Sequence, residues 1–245
     1  QKTSPYMYKR ILTSALAVFL ISATCVSKDN VTLAGNVILP RPAGIEILDG
    51  AYFFTGEPTV KVVRKKGPSE SYTLVINRKG VIITAADDAG EFYARQSLAQ
   101  LLNAAKKENG PASLQCQIIE DYPRFPYRGL HIDVSRHFYS IDFLKKQVDA
   151  MAMFKMNRLH LHLTDAAGWR MEIESWPRLT GYAAWRPEAN WKAWWNGDRA
   201  YVEEGTPGAY GGYYTKEELK SLVEYAAERH ITVIPEIEMP GHSEE

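Results

Sequence analysis

The sequence predicts an α/β protein, with a small α+β unit followed by strands and helices of a parallel sheet, either wound or closed into a (β/α) barrel. Three observations predict this. Between Ile45 and Thr84 short β-like runs alternate with turn residues. From Arg128 the pattern switches to strand–helix–strand–helix–strand, and such alternation implies parallel pairing with right-handed crossovers. Finally, three apolar-patterned strands end in polar, reactive groups: Gly129-Leu-His-Ile-Asp-Val-Ser-Arg-His137, His160-Leu-His-Leu-Thr-Asp165 and Val233-Ile-Pro-Glu-Ile-Glu-Met-Pro-Gly-His242.

At the N-terminus, Lys9-Arg10 precedes a mostly apolar run from Ile11 to Ala23, with Met7 the expected start of translation. That run is too short for a spanning helix, which needs roughly 20 residues, but it suits a signal peptide. Cys25 follows small residues, as in a bacterial lipobox. The expectation is therefore a leader over 1–25, lipidation at Cys25 and a small, polar tether over 26–36. The protein would be exported and membrane-anchored through lipid, in the periplasm or at the cell surface. The remaining cysteine, Cys116, has Leu114 and Ile118 two residues to either side and reads as a buried strand thiol, so no intramolecular disulfide framework is expected.

The first folded region is placed at 37–126. Strand-like runs occupy Val60–Val63, Tyr72–Ile76, Val81–Thr84 and Gln115–Ile119, expected to pair as an antiparallel sheet. A helix is expected at about 89–106, capped by Asp87 or Asp88, with Phe92, Leu98, Leu101 and Leu102 as its buried stripe. Asp121-Tyr-Pro-Arg-Phe-Pro126 stiffens the junction. In the second region a helix from Ser140 carries Leu144, Val148, Met151 and Ala152 at helical spacing. Another starts at Thr215, whose partner Glu218 completes a capping box. Residues 168–214 show little periodicity, and a loop of that length is uncommon unless functional. All six tryptophans lie there: Trp169, Trp176, Trp185, Trp191, Trp194 and Trp195. Indole faces stack on sugars. For those other than Trp169, the favoured reading is a small core belonging to the loop itself.

The formal net charge is zero and no basic run occurs, so nothing points to nucleic acid. No Gly-rich phosphate loop or Cys/His zinc pattern is present. His160-x-His162 admits a metal-dependent barrel hydrolase as an alternative, but later ligands are not found. Packing and hydrogen bonding inside the barrel suit these histidines better. Asp133, Arg136 and His137 read as groups that pair to hold strand ends.

Taken together, Tyr127-Arg-Gly-Leu-His-Ile-Asp-Val-Ser-Arg-His-Phe138, Met156-Asn-Arg-Leu-His-Leu-His-Leu-Thr-Asp165, Gly168-Trp-Arg170, Gly212-Tyr-Tyr-Thr215 and Pro235-Glu-Ile-Glu-Met-Pro-Gly-His242 resemble glycoside hydrolase family 20, the β-N-acetylhexosaminidases. Arg95-Gln-Ser-Leu-Ala-Gln-Leu101 resembles a helix of the family's small preceding domain. The resemblance implies that 127–245 form the first three β/α units of an incomplete TIM (β/α)8 barrel, with the active site at the strands' C-terminal ends. It implies hydrolysis of terminal non-reducing N-acetylhexosamine, with retention, the substrate's own 2-acetamido oxygen acting as nucleophile. This is an exception to the two-carboxylate scheme. N-acetylhexosamine-containing glycans are the expected partners, and no metal or cofactor is implied.

By resemblance, Arg128 is matched to an arginine that holds sugar hydroxyls. Asp165 is matched to a pocket carboxylate, and His242 to a histidine supporting the acid/base network. Trp169, Glu236 and Glu238 complete the candidate set. The family's catalytic Asp-Glu pair follows the fourth strand and would lie beyond Glu245. The 245 residues are therefore expected to be an inactive fragment, with a lipid-anchored sugar-binding remnant as the alternative. Two departures from the family pattern stand out: Ala166-Ala167 occupy the place where a second acid is common, and Glu238 replaces an aspartate.

Overall fold

A computed structural model describes residues 37–105 and 112–244. The expected leader, Cys25 and the tether lie outside the described residues. The chain divides into two compact units. One takes the residues up to Ala86 plus Ser97–Tyr122; the other takes Asp87–Gln96 plus Pro123 onward.

In the first unit, β1 (Gly44–Phe54), β2 (Val60–Arg64), β3 (Tyr72–Asn77), β4 (Gly80–Ala85) and β5 (Ala112–Asp121) form one sheet in the order β1-β5-β3-β4-β2. This corrects the expectation of a purely antiparallel sheet, because β2 runs parallel to β4. The chain does reverse between β2 and β3 through Lys66-Gly67-Pro68. However, β4 inserts between them as the hairpin partner of β3, so β2 meets β4 in the same direction. Strand β1 escaped the sequence reading because its pairing with β5 shifts register between Ile47 and Ala51, where Asp49-Gly50 interrupts the alternation. Leu74, Ile76, Ile83 and Ile119 form the buried face, and Cys116 is buried in β5. Helix α1 (Asp88–Ala105) spans the dividing point of the two units.

In the second unit, β6 (Gly129–Asp133), α2 (Ile141–Met153), β7 (Arg158–His162), a long excursion, α5 (Lys216–Ala227) and β10 (Thr232–Glu236) follow in order. The three strands are parallel, with β7 between β6 and β10. The Ser140 Oγ accepts from Phe143 N at 3.3 Å to start α2. The Thr215–Glu218 capping box starts α5 with both of its hydrogen bonds formed. Period-2 alternation gives the sheet two unlike faces. Leu159 and Leu161 in β7, with Leu163 beyond it, point toward Leu144 and Val148 of α2 and Leu222 and Ala226 of α5, all fully buried. The opposite face carries His131 and Asp133, His160 and His162, and Glu236 in register: His131↔His160 and Asp133↔His162↔Glu236. An apolar face packed on crossover helices and a polar face turned away from them is the strand arrangement of a (β/α) barrel.

The excursion is not featureless. It contains α3 (Arg178–Gly181), β8 (Trp185–Arg186), α4 (Trp191–Asn196) and β9 (Tyr210–Gly211), with β8 and β9 paired antiparallel. Among the described residues no helix is long and apolar enough to cross a membrane.

Candidate active site

The chemistry collects where β6, β7 and β10 end. Backbone bonds carry the parallel ladder past the strands: Val134 N donates to His162 O, and Leu163 N to Glu236 O. The residues that follow are thereby brought into register. Asp133 then organises its own turn. Its Oδ1 accepts from Ser135 N and Arg136 N, both at 3.0 Å, and its Oδ2 accepts from Arg136 Nη1 at 2.8 Å. The Thr164 hydroxyl accepts from Glu238 N at 3.1 Å, joining the β7 and β10 exits.

Everything converges on Asp165. Its Oδ2 meets Arg136 Nη2, His162 Nε2 at 3.0 Å and His242 Nδ1 at 2.6 Å. The carboxylate is only 5% exposed, so these three donors take the place of the water it lost. His162 lies between two acids, with Nδ1 against Glu236 Oε1 and Nε2 against Asp165. Burial alone would lower its pKa. The hydrogen bonds it makes to Glu236 and Asp165, with the charges of Asp133 and Glu236, outweigh burial and hold it above the ordinary value. Arg136 Nη1 also stands 3.0 Å from Nε2. Glu236 is the counterpart. Burial raises its pKa, yet the His162 hydrogen bond and charge, the Glu238 hydrogen bond and the His160 charge together pull it down to about 2. His160 Nε2 reaches the same carboxylate, and His131 Nε2 stands 3.4 Å from it. His242 has a left-handed backbone, φ 54°, rare outside glycine, which aims its ring back at Asp165.

Two arginines missed in the sequence fix the walls. Arg170 is fully buried and donates only to backbone: to Ala184 O at 2.6 Å, Ser135 O at 2.7 Å, Gly212 O at 2.9 Å, and Val134 O and Ala167 O at 3.2 Å. Burial, then the nearby Arg186 charge, lowers its pKa to about 10. Arg186 is equally buried and donates to Ala167 O and Glu188 O at 2.7 Å, Arg136 O at 2.9 Å and Ala189 O at 3.1 Å. Together they staple the long excursion to the β6 and β7 exits. The Gly-Trp-Arg motif was the available signal, but its arginine is structural. Ala166 and Ala167 are buried against Trp194, whose Nε1 donates to Ala200 O at 2.8 Å.

A cavity of about 510 Å³ opens over this centre. Arg136, Asp165 and His242 line one side, and Trp191 and Trp195 another. Asp165 and His242 are thus brought together in it. Arg128 is not. It precedes β6, so it sits about 16 Å of strand away from the exits. Its guanidinium donates to Lys155 O at 2.6 Å, Phe125 O at 2.9 Å and the Tyr93 hydroxyl at 3.2 Å. The arginine in the cavity is Arg136, eight positions later in the same motif. Trp169 does not line the cavity either, since its Nε1 donates to Met171 O within its own turn. Glu236 supports the centre through His162, and Glu238 through its backbone and Glu236.

Comparison with known proteins agrees with this architecture. Residues 125–245 match the family model "Glycosyl hydrolase family 20, catalytic domain", and 57–122 match "domain 2" of the same family. The chain is 43% identical to a beta-hexosaminidase of Porphyromonas gingivalis over 71% of its own length and 21% of the relative. It is 40% identical to a beta-hexosaminidase of Akkermansia muciniphila over 72% of its length and 32% of the relative. It therefore spans about a fifth to a third of these relatives. An exo-beta-N-acetylglucosaminidase of Vibrio harveyi, solved with N-acetylglucosamine, superposes with a TM-score of 0.72 at 30% identity, covering 85% of this chain and 37% of that one.

Proposed function

The chain belongs to glycosyl hydrolase family 20, and from that membership we propose that it is the leading part of a β-N-acetylhexosaminidase that releases terminal N-acetylhexosamine from glycans. The observation that carries this reading is the convergence of three strand exits on Asp165 Oδ2 at the floor of an open cavity. Each group there has a task. Arg136 is held by Asp133 and Asp165, and its planar fork suits the adjacent hydroxyls of a sugar. Asp165 occupies His242 Nδ1, which fixes the ring and leaves Nε2 for a partner acid. A carboxylate–histidine pair of this kind tunes a neighbouring general acid, whose pKa must lie near the working pH.

The mechanism proposed is substrate-assisted and retaining, with the 2-acetamido oxygen as nucleophile. By the family resemblance the catalytic Asp-Glu pair follows a fourth strand, so we propose that the 245-residue polypeptide alone binds sugar without turnover. We also propose export and lipid anchoring at Cys25, from Lys9-Arg10, the apolar run to Ala23 and the small residues before the cysteine. The test compares the 245-residue chain with the product of the entire reading frame containing it, on a chromogenic β-N-acetylglucosaminide. Turnover by the longer product, competitive inhibition by a thiazoline analogue, and no turnover by the chain support the reading. Turnover by the chain within about tenfold of the longer product would relocate the catalytic centre to residues within it.

A further inference from the structure

Three of the chain's six histidines gather round one carboxylate on the polar face of the parallel sheet. Strand geometry puts them there. Side chains two apart on a strand share a face, so His160 and His162 of β7 project together. Register places His131 of β6 beside His160, and Glu236 of β10 beside His162. Their polar atoms converge. His160 Nε2 and His162 Nδ1 contact the two oxygens of Glu236, and His131 Nε2 stands 3.4 Å from Oε2. The His131 and His160 rings meet edge to face with centroids 4.7 Å apart. Linear spacing shows only the His160-x-His162 pair; the other two donors come from the strands on either side.

The Asp165 centre uses only part of this cluster. His162 turns Nε2 to Asp165 and Arg136, which leaves Nδ1 facing the cluster. Substrate-assisted hydrolysis gives His131 and His160 no task. Three imidazoles and one carboxylate are a donor set for an ion such as Zn2+, which takes four ligands tetrahedrally with nitrogen at about 2.0–2.1 Å. Ligands at that radius stand roughly 3.3 Å from one another, and the separation of His131 and Glu236 is of that size. Ca2+ and Mg2+ take oxygen ligands and do not suit three imidazoles. The surroundings fit as well. A metal-bound histidine ordinarily presents its other nitrogen to a carboxylate or carbonyl that fixes the ring, and Asp165 lies 3.0 Å from His162 Nε2. The His131 side chain is 51% exposed, so an ion reaches the cluster from solvent, while His162 at 5% closes its inner end.

We propose that His131, His160, His162 and Glu236 form a binding site for a divalent transition metal of the zinc class, which clamps the three parallel strands together. His160 and His162 touch the carboxylate more closely than two ligands of one ion do, so an entering ion moves them apart by roughly 1 Å. Each imidazole binds through a nitrogen lone pair, giving any proton on that nitrogen to solvent. The ion takes no part in glycoside hydrolysis, and its binding is independent of sugar recognition.

The test titrates Zn2+, Mg2+ and Ca2+ into the full 245-residue chain, stripped with EDTA and desalted, and reads affinity by calorimetry and stability by thermal melt. Wild type, His131→Ala, His160→Ala, Glu236→Gln, His242→Ala and His230→Asn are compared. His242 belongs to the Asp165 centre. His230 precedes β10 at the other end of the sheet, with φ 57°, a backbone that asparagine accepts. Wild type should bind one Zn2+ at least about 100-fold more tightly than Mg2+ or Ca2+, and Zn2+ should raise its melting temperature. The Co2+ complex should lack a thiolate charge-transfer band, which excludes Cys25 and Cys116 as ligands. His131→Ala, His160→Ala and Glu236→Gln should each weaken Zn2+ binding by at least about tenfold, with metal-free circular dichroism matching wild type. His131 is the most exposed of the four, so its variant is decisive if another fails to fold. His242→Ala and His230→Asn should stay within about twofold. No preference for Zn2+ in wild type, unchanged affinity in His131→Ala and His160→Ala, or a thiolate band in the Co2+ complex overturns the site. Affinity lost in His242→Ala but kept in His131→Ala also overturns it, because the ion would then sit on Asp165.

Discussion

The parallel sheet of the second unit carries an arginine at each end, and the two are bonded in different ways. At the N-terminal end, Arg128 donates to two backbone carbonyls and a tyrosine hydroxyl, knitting the loops before β6 and β7 together. At the C-terminal end, Arg136 donates to the carboxylates of Asp133 and Asp165 and faces an open cavity. Backbone acceptors and closure mark a structural role; paired charges and an opening mark a chemical one. The same residue type, eight positions apart in one motif, does different work because a five-residue strand separates the two ends.

The largest expected effect falls on neither arginine but on the staple between the strand exits and the excursion. Arg170→Met would strand up to five buried carbonyls. Each buried carbonyl left without a donor costs about 1–3 kcal/mol. The second unit should lose its cooperative thermal transition, read by circular dichroism and limited proteolysis. A variant that melts within a few degrees of wild type would show that the excursion is held by its apolar contacts.

Next in size is Asp165→Asn, which keeps the shape and removes the charge on which Arg136, His162 and His242 converge. In the product of the entire reading frame, kcat on an aryl β-N-acetylglucosaminide should fall by roughly 100-fold, the lower part of the range for acid–base catalysis. A fall of less than about threefold would remove Asp165 from the acid/base network.

Much of this was legible in the sequence. The alternation of Leu159, Leu161 and Leu163 with His160 and His162 fixed both faces of β7, and Ser140 and Thr215 marked the starts of two helices. Asp165 and His242 were identifiable because their motifs stand at strand exits. The matched motif holds two arginines; the resemblance points to Arg128, while Arg136 is the one that lines the cavity. Strand polarity carried the needed signal, since Arg136 follows β6 and Arg128 precedes it. Arg170 and Arg186 were illegible for a different reason. Whether an arginine is buried on carbonyls depends on where a long excursion returns, and no local pattern records that. Strand β1 was hidden by its own bulge.

A smaller effect should come from pH. Glu236 has a lowered pKa, so its contribution to stability is present above the ordinary carboxylate value near 4.5 and fades as pH falls toward about 2. His162 has a raised pKa, so its contribution is complete below 6.5 and is lost as pH rises through the raised value. The pair is at full strength between about 4.5 and 6.5. The melting temperature should decline on both sides of that window, and His162→Gln should flatten the alkaline side. An unchanged alkaline side in His162→Gln would assign the decline to other groups.

The comparison of the two ends is tested most directly by N-acetylglucosamine binding to Arg136→Ala and Arg128→Ala variants of the 245-residue chain, each with its thermal melt. The account predicts that Arg136→Ala weakens binding by at least about tenfold, the worth of one charge-assisted contact of roughly 1.5 kcal/mol. It predicts that Arg128→Ala leaves affinity within about twofold while lowering the melting temperature. Weakened binding in Arg128→Ala, with Arg136→Ala unaffected, would contradict it and return the sugar site to the other end of the sheet.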